Sequence, residues 1–234
     1  MRKGHLLIIL IILCCSNQAF AQRPLLNMPD HDDKPYFFGI SFGINMSVYQ
    51  IQYTNSFATT DTFKRIQPHY EPGFCLGLIG TLKLNRFVDL RFVPTLEFSE
   101  KNIVYEYGYP RDSTVTQNAI ESIYMHLPLQ LKFKSDRIKN FRFYGLLGGM
   151  FDYDLAANAR SHNPTEFLKV SPVDYGYEIG VGFEFYYPNF IFSPELKMVE
   201  GLDNQLYPDH SIQLTNAIST LHNRMFVFSI HLEG

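Results

Sequence analysis

Cysteine is almost missing from this chain. Of three, Cys14 and Cys15 fall in the opening segment and only Cys75 follows. A lone thiol makes no internal disulfide, so the fold rests on other forces. Excess charge is missing too. A formal net charge of −3 gives no electrostatic reason to expect nucleic acid as a partner. After the opening segment there is also no apolar run long enough for a membrane helix, and mean hydropathy is near neutral at −0.10. A soluble protein has these properties. So does a membrane β-barrel, because half of its strand residues face a polar interior.

The opening, MRKGHLLIILIILCCSNQAFAQ, reads as a secretory signal. Arg2 and Lys3 supply the positive end, Leu6 to Leu13 a short apolar core, and Ala19-Phe20-Ala21 a small-x-small cleavage site. Cleavage between Ala21 and Gln22 is predicted. No small residue precedes Cys14 or Cys15 as a lipoprotein signal requires. The expected organisation is a signal peptide over 1–21, a periplasmic leader over 22–35 and an outer-membrane β-barrel over 36–234.

What is abundant is alternation. In FFGISFGINMSVY (37–49) the even positions are Phe38, Ile40, Phe42, Ile44, Met46 and Val48, while Gly39, Ser41, Gly43, Asn45 and Ser47 are small or polar. A period of two means an extended strand with one apolar face. Seven further stretches repeat the pattern: 73–84, 88–99, 122–133, 141–154, 174–187, 190–199 and 224–233. Most are long enough for a tilted strand to cross hydrocarbon, which takes about 9–11 residues; ordinary strands average about 5–6.

The connections alternate in length. Residues 85–87, 134–140 and 188–189 are short; 50–72, 100–121, 155–173 and 200–223 are long. In an up-and-down barrel, odd and even connections emerge at opposite ends. An all-β, eight-stranded antiparallel up-and-down transmembrane barrel is therefore predicted, with four long outer loops and short periplasmic turns. Its surroundings would be outer-membrane lipid and lipopolysaccharide.

Alternation alone also suits a soluble barrel with its apolar face inward. Three features favour lipid outside. The polar face is rich in glycine and serine, which leave room inside a narrow barrel. Its charges nearly balance: Lys83, Arg91, Lys132, Arg142 and Lys197 against Asp89, Glu97, Asp152, Glu178, Glu184 and Glu195. Buried charges persist when paired, so these are candidate lumen charges. Tyr49, Tyr53, Tyr105, Tyr107, Tyr186 and Tyr187 lie near strand ends, where an aromatic girdle is expected.

Pro94, Pro128 and Pro194 fall inside strands. Proline donates no ladder hydrogen bond, so bulges or rim positions are expected there. No catalytic residue is assigned. His69, His162, His210 and His222, with Ser56, Ser113, Ser161, Ser211 and Ser219, lie in loops but show no spacing of nucleophile, base and acid. His126 reads as a hydrogen-bonded interior residue. Asp30-His31-Asp32-Asp33 offers too few ligands at fixed geometry for a cation site and reads as a solvated leader. No cofactor or metal is expected.

The run Ile123-Tyr124-Met125-His126-Leu127-Pro128-Leu129-Gln130-Leu131-Lys132 resembles the Tyr-x-x-x-Pro-Leu-x-Leu-Lys strand of the PorT-like outer-membrane barrels of Bacteroidota. FSPELKMVEGLDNQL (192–206), with Pro194 and Glu195, is similar to the family's late SPE-(I/L)-(K/R)…GL-x-N stretch, and 94–107 to its third strand and exit loop. The segment containing His31-Asp32-Asp33-Lys34-Pro35 resembles the family's lead-in to the first strand. The resemblance implies an accessory role in type IX protein secretion. Other secretion proteins would be its partners, with the motif residues His31, Asp32, Asp33, Pro128, Pro194 and Glu195 as candidate contacts. An eight-stranded lumen filled by side chains suits an accessory part better than a conduit.

Overall fold

The computed structural model describes residues 26–55, 57, 63–107, 115–156, 168–207 and 217–234; the predicted signal cleavage at Ala21 and Gln22 lies outside them. Ten antiparallel strands form one sheet: β1 (Tyr36–Tyr53), β2 (Phe63–His69), β3 (Glu71–Lys83), β4 (Val88–Phe92), β5 (Thr95–Tyr107), β6 (Val115–Lys134), β7 (Phe141–Asp154), β8 (Val173–Tyr186), β9 (Ile191–Gly201) and β10 (Ile218–Glu233). β1 pairs with both β10 and β3, so the sheet closes on itself. The ring has eight members, because β2 with β3, and β4 with β5, are each one strand broken in the middle.

The pairing register fixes the barrel's shape. Starting at Ile44, the partners run Phe228, Leu196, Val181, Gly145, Phe133 and Val88. Val88 lies across from Leu84, whose continued register on β1 falls at Lys34, ten residues before the start. Eight strands sheared by ten tilt by roughly 40° and enclose an interior that side chains fill.

The broken strands explain the prolines, and the expected bulges do not occur. Gly80 pairs with Phe92 and Gly77 with Thr95, so no residue is inserted between β4 and β5; across Val93 and Pro94 the pairing lapses except that the Pro94 carbonyl accepts from Leu78 N–H at 3.0 Å. Pro128 sits across from that gap, between Leu129, which pairs with Phe92, and His126, which pairs with Thr95. Pro194 likewise faces an unpaired stretch of β8, between the pairs Gly182–Glu195 and Phe185–Phe192. Each proline stands where the ladder lapses and the register runs on unchanged, which is how a closed sheet tolerates a residue without an N–H.

The outer wall is apolar. Phe38 is 67% exposed and Ile44 62%, while the intervening Ser41 and Asn45 are 4% and 1% exposed. Rings gather near both rims: Tyr36, Phe87, Phe133, Phe143, Tyr187 and Phe190 at the short-turn end, and Tyr53, Tyr70, Tyr153, Tyr175, Tyr177 and Tyr207 at the long-loop end. Three tyrosines expected in this girdle point inward instead: Tyr49, Tyr105 and Tyr186 are buried. Residues 50–53, 63–69, 100–107, 115–121 and 218–223, expected as loop, continue the strands, so the barrel wall rises beyond the hydrocarbon layer.

Candidate functional site

The lumen is packed in three layers. Its middle layer is charged, because long inward side chains meet both on neighbouring strands and across the narrow lumen. Arg91 Nη2 reaches Glu195 Oε2 at 2.5 Å, and its Nε donates to Gln130 at 2.5 Å. Tyr144 Oη donates to the same Glu195 at 2.8 Å. Lys132 pairs with Glu184 at 2.6 Å, Lys134 with Asp89 at 2.7 Å and Lys197 with Glu178 at 2.9 Å. Gln130 also donates to Glu178. His126, across from Asp152 in the ladder, places Nδ1 2.5 Å from its carboxylate. Glycine makes room for the long chains: Gly180 lies opposite Lys197 and Gly182 opposite Glu195. A Cβ on Gly182 would come within 2.4 Å of the Tyr144 ring, so that position admits no side chain unless Tyr144 moves.

The charges do not balance as closely as the alternating face suggested. Among the described residues, nine buried carboxylates of the inward face (Asp89, Glu97, Asp152, Asp154, Asp174, Glu178, Glu184, Glu195 and Glu233) meet six buried lysines and arginines (Arg91, Lys101, Lys132, Lys134, Arg142 and Lys197), while Glu200 is buried on the other side of β9 against Arg224. Lys101, Asp154, Asp174 and Glu233 are missing from the candidate lumen charges because they lie in strand extensions or at strand ends. Counting in twos along the same strands would have found them. Lys101 Nζ donates to Tyr124 Oη at 2.7 Å and stands over the Tyr49 and Tyr124 rings, 4.9 and 4.3 Å from their centroids.

Above the charges, at the long-loop end, the interior turns apolar. Tyr49, Ile66, Ile103, Tyr105, Ile120, Leu168, Val170, Ala217, Ile218 and Leu221 form one buried cluster. Below them, the leader closes the short-turn mouth and is not a solvated tail. Its 3-10 turn over Pro29–Asp33 inserts His31, 4% exposed, against Phe37 and Tyr186. Asp32 accepts two hydrogen bonds from Arg142 Nη2 at 3.0 and 3.1 Å, and its carbonyl accepts one from Lys83. Arg137 stacks on Tyr186 with 3.7 Å to the ring centroid and donates to the Asn27 and Met28 carbonyls. Burial lowers the His31 imidazole from its usual 6.5 to about 4, against the pull of Glu184, Glu233 and Asp32.

The motif residues therefore separate. His31 and Asp32 are held inside the mouth, and Asp33 is exposed beside them. Pro128 faces the lumen, Pro194 lies half-buried on the outer wall, and Glu195 is enclosed by Arg91 and Tyr144. Exposed Asp33 and Lys34, with Lys83, Arg86, Asp136 and Arg137, edge a cavity of about 600 Å³ open to the short-turn side. Of the loop residues weighed for catalysis, His69, His222 and Ser219 lie on β2 and β10. His162, His210, Ser56, Ser113, Ser161 and Ser211 fall outside the described residues.

A search of curated proteins finds no match. Among solved structures, Neisserial surface protein A is 10% identical with a TM-score of 0.43, covering 83% of this chain and 95% of that one. OprG from Pseudomonas aeruginosa is 13% identical with a TM-score of 0.44, covering 85% and 95%. Ail, the attachment invasion locus protein of Yersinia pestis, in complex with the heparin analogue sucrose octasulfate, is 11% identical with a TM-score of 0.38, covering 86% and 100%. The sequence model of the outer membrane protein beta-barrel domain matches residues 20–207. With an apolar outer wall, a closed eight-membered ring and that match over most of its length, the chain belongs to the outer membrane protein beta-barrel domain family.

Proposed function

We propose that this protein is a plugged outer-membrane barrel that serves protein export as an accessory part, acting through contacts at its ends. The observation that carries the reading is the filled lumen: leader, ion pairs and apolar cluster succeed one another along the axis. A barrel so packed offers no path for a polypeptide and leaves its surfaces to do the work. The PorT-like resemblance supplies the finer reading, in which the export route is type IX secretion and the partners are other secretion proteins. The exposed side of the docked leader, around Asp33 and the cavity beside it, is the contact surface this reading favours. Outer-membrane lipid and lipopolysaccharide surround the wall.

A second reading is a general small barrel for adhesion or envelope integrity, and the matched family carries nothing narrower than an outer-membrane barrel. Deleting the gene and measuring exported cargo separates the two. Loss of all type IX cargo from the medium supports the first; normal export with an altered cell surface supports the second. In the complemented strain, a chain lacking Leu25 to Lys34 tests the leader. Unchanged secretion by a normally inserted barrel removes the leader as a contact.

A further inference from the structure

We infer that Glu97, His126 and Asp152 form a binding site for a divalent first-row transition-metal ion inside the lumen. The three sit on β5, β6 and β7, each offers one donor atom, and those atoms lie within 4.8 Å of one another. All three are fully buried. Both Glu97 oxygens and Asp152 Oδ2 have no hydrogen-bond partner. An ionised carboxylate in such a place is costly unless a cation or a metal answers it.

The local charge asks for two positive charges. Glu97, Asp152 and Glu178 share one lysine, Lys197, which already bonds to Glu178. Lys101, four residues along β5 from Glu97, donates to Tyr124 and is answered first by Asp154, with Asp152 next, so it and Asp154 are counted as a pair of their own. With His126 neutral the group carries a formal −2, and a divalent ion brings it to zero. Oxygen-only cations such as calcium and magnesium take six or more oxygen ligands. One imidazole with two carboxylates suits zinc, iron or manganese better.

The surroundings also match a metal-bound histidine. His126 Nδ1 already converges with Asp152 at 2.5 Å, and an ion held there replaces the shared proton. On the far side of the ring, Nε2 lies 3.3 Å from Lys197 Nζ and 3.4 Å from Glu178, which itself accepts from Lys197 and Gln130, so an Nε2–H aimed at Glu178 needs the ammonium to turn fully onto that carboxylate. A ligating imidazole that donates its second N–H to a carboxylate is fixed in tautomer and orientation. Zinc holds oxygen and nitrogen at about 2.0–2.2 Å, which sets tetrahedral donors roughly 3.4 Å apart, so the ion would part His126 Nδ1 from Asp152 Oδ1, now 2.5 Å apart, while Glu97 closes in from the third side. The ion would tie three consecutive strands together at the level where the β4–β5 break weakens the ladder.

The test uses the full chain folded in detergent micelles, stripped with a chelator and then dialysed against zinc. Elemental analysis should find one zinc per chain, and cobalt in its place should give the visible absorption of a buried nitrogen–oxygen site. Glu97→Gln keeps shape and removes charge. It should bind zinc at least tenfold more weakly while retaining the heat-modifiable gel mobility of a folded barrel, and Asp152→Asn should do the same. Replacing His69 and His222 by Gln together should leave the zinc in place. Absence of stoichiometric zinc or cobalt in the wild type overturns the site. So does equal binding by folded Glu97→Gln, or zinc that leaves with His69 and His222.

Discussion

Neighbouring residues on β1 live in different solvents. Phe42 meets hydrocarbon and Ser41 meets the packed lumen. An arginine at an outward midplane position costs about 2–4 kcal/mol, so Phe42→Arg should sharply reduce the folded, inserted fraction, and Ser41→Ala should leave it near wild type. Urea titration of refolding into lipid vesicles reads both; equal tolerance counts against the outward assignment. Inside, Arg91 and Glu195 are a buried pair whose single loss strands a charge. Arg91→Met should cost about 3–5 kcal/mol, because Glu195 then keeps only Tyr144 and His231. Arg91→Met combined with Glu195→Gln should cost less than the sum of the two single changes, since no charge is left alone. Unfolding free energies of the four chains close that cycle, and strict additivity would mean the pair is not coupled.

At the scale of an element, the leader is the part most open to pH. Docked, His31 is held neutral with its pKa lowered to about 4; undocked, it returns to 6.5. Below 6.5 the undocked leader binds the extra proton, so docking is fully stable above that value and weakens as pH falls toward 4. The loss is on the order of 3 kcal/mol at most. Limited proteolysis of the leader should therefore be slow at pH 7.5 and fast at pH 5. His31→Phe should flatten that difference, and an equal pH response in the variant would place the effect elsewhere. None of this docking was legible in the sequence. A five-residue turn has no periodicity, and its anchor Arg142 lies 110 residues away from Asp32. The strands were legible because a period of two needs only local composition. The same count, followed to the strand ends, already puts Tyr49, Tyr105 and Tyr186 inside, in step with Ser47, Ile103 and Glu184. The girdle assignment failed by reading position along the strand without its parity. Tyr53 does face outward, and there the register shifts between Gln52 and Tyr53, a local event that composition does not announce.

For the whole molecule, the order of layers decides what the barrel can pass. A ring of eight with a shear of ten leaves an interior the width of its side chains, and along this axis they meet in charged pairs and then in an apolar cluster. Ion flow would have to part Arg91 from Glu195 and Lys132 from Glu184, then cross the dry packing of Ile103, Tyr105 and Leu221. The purified chain in planar bilayers should therefore show no resolvable single-channel steps at moderate voltage. The leader is only the lowest of the three obstacles, so a chain lacking residues 26–34 should be silent as well. Its lower mouth opens, but the layers above remain. Steady steps from the leaderless chain alone would make the leader the sole plug and the upper layers permeable. Steady steps from the full chain would turn the protein into a channel and remove the ground for assigning its work to its surfaces.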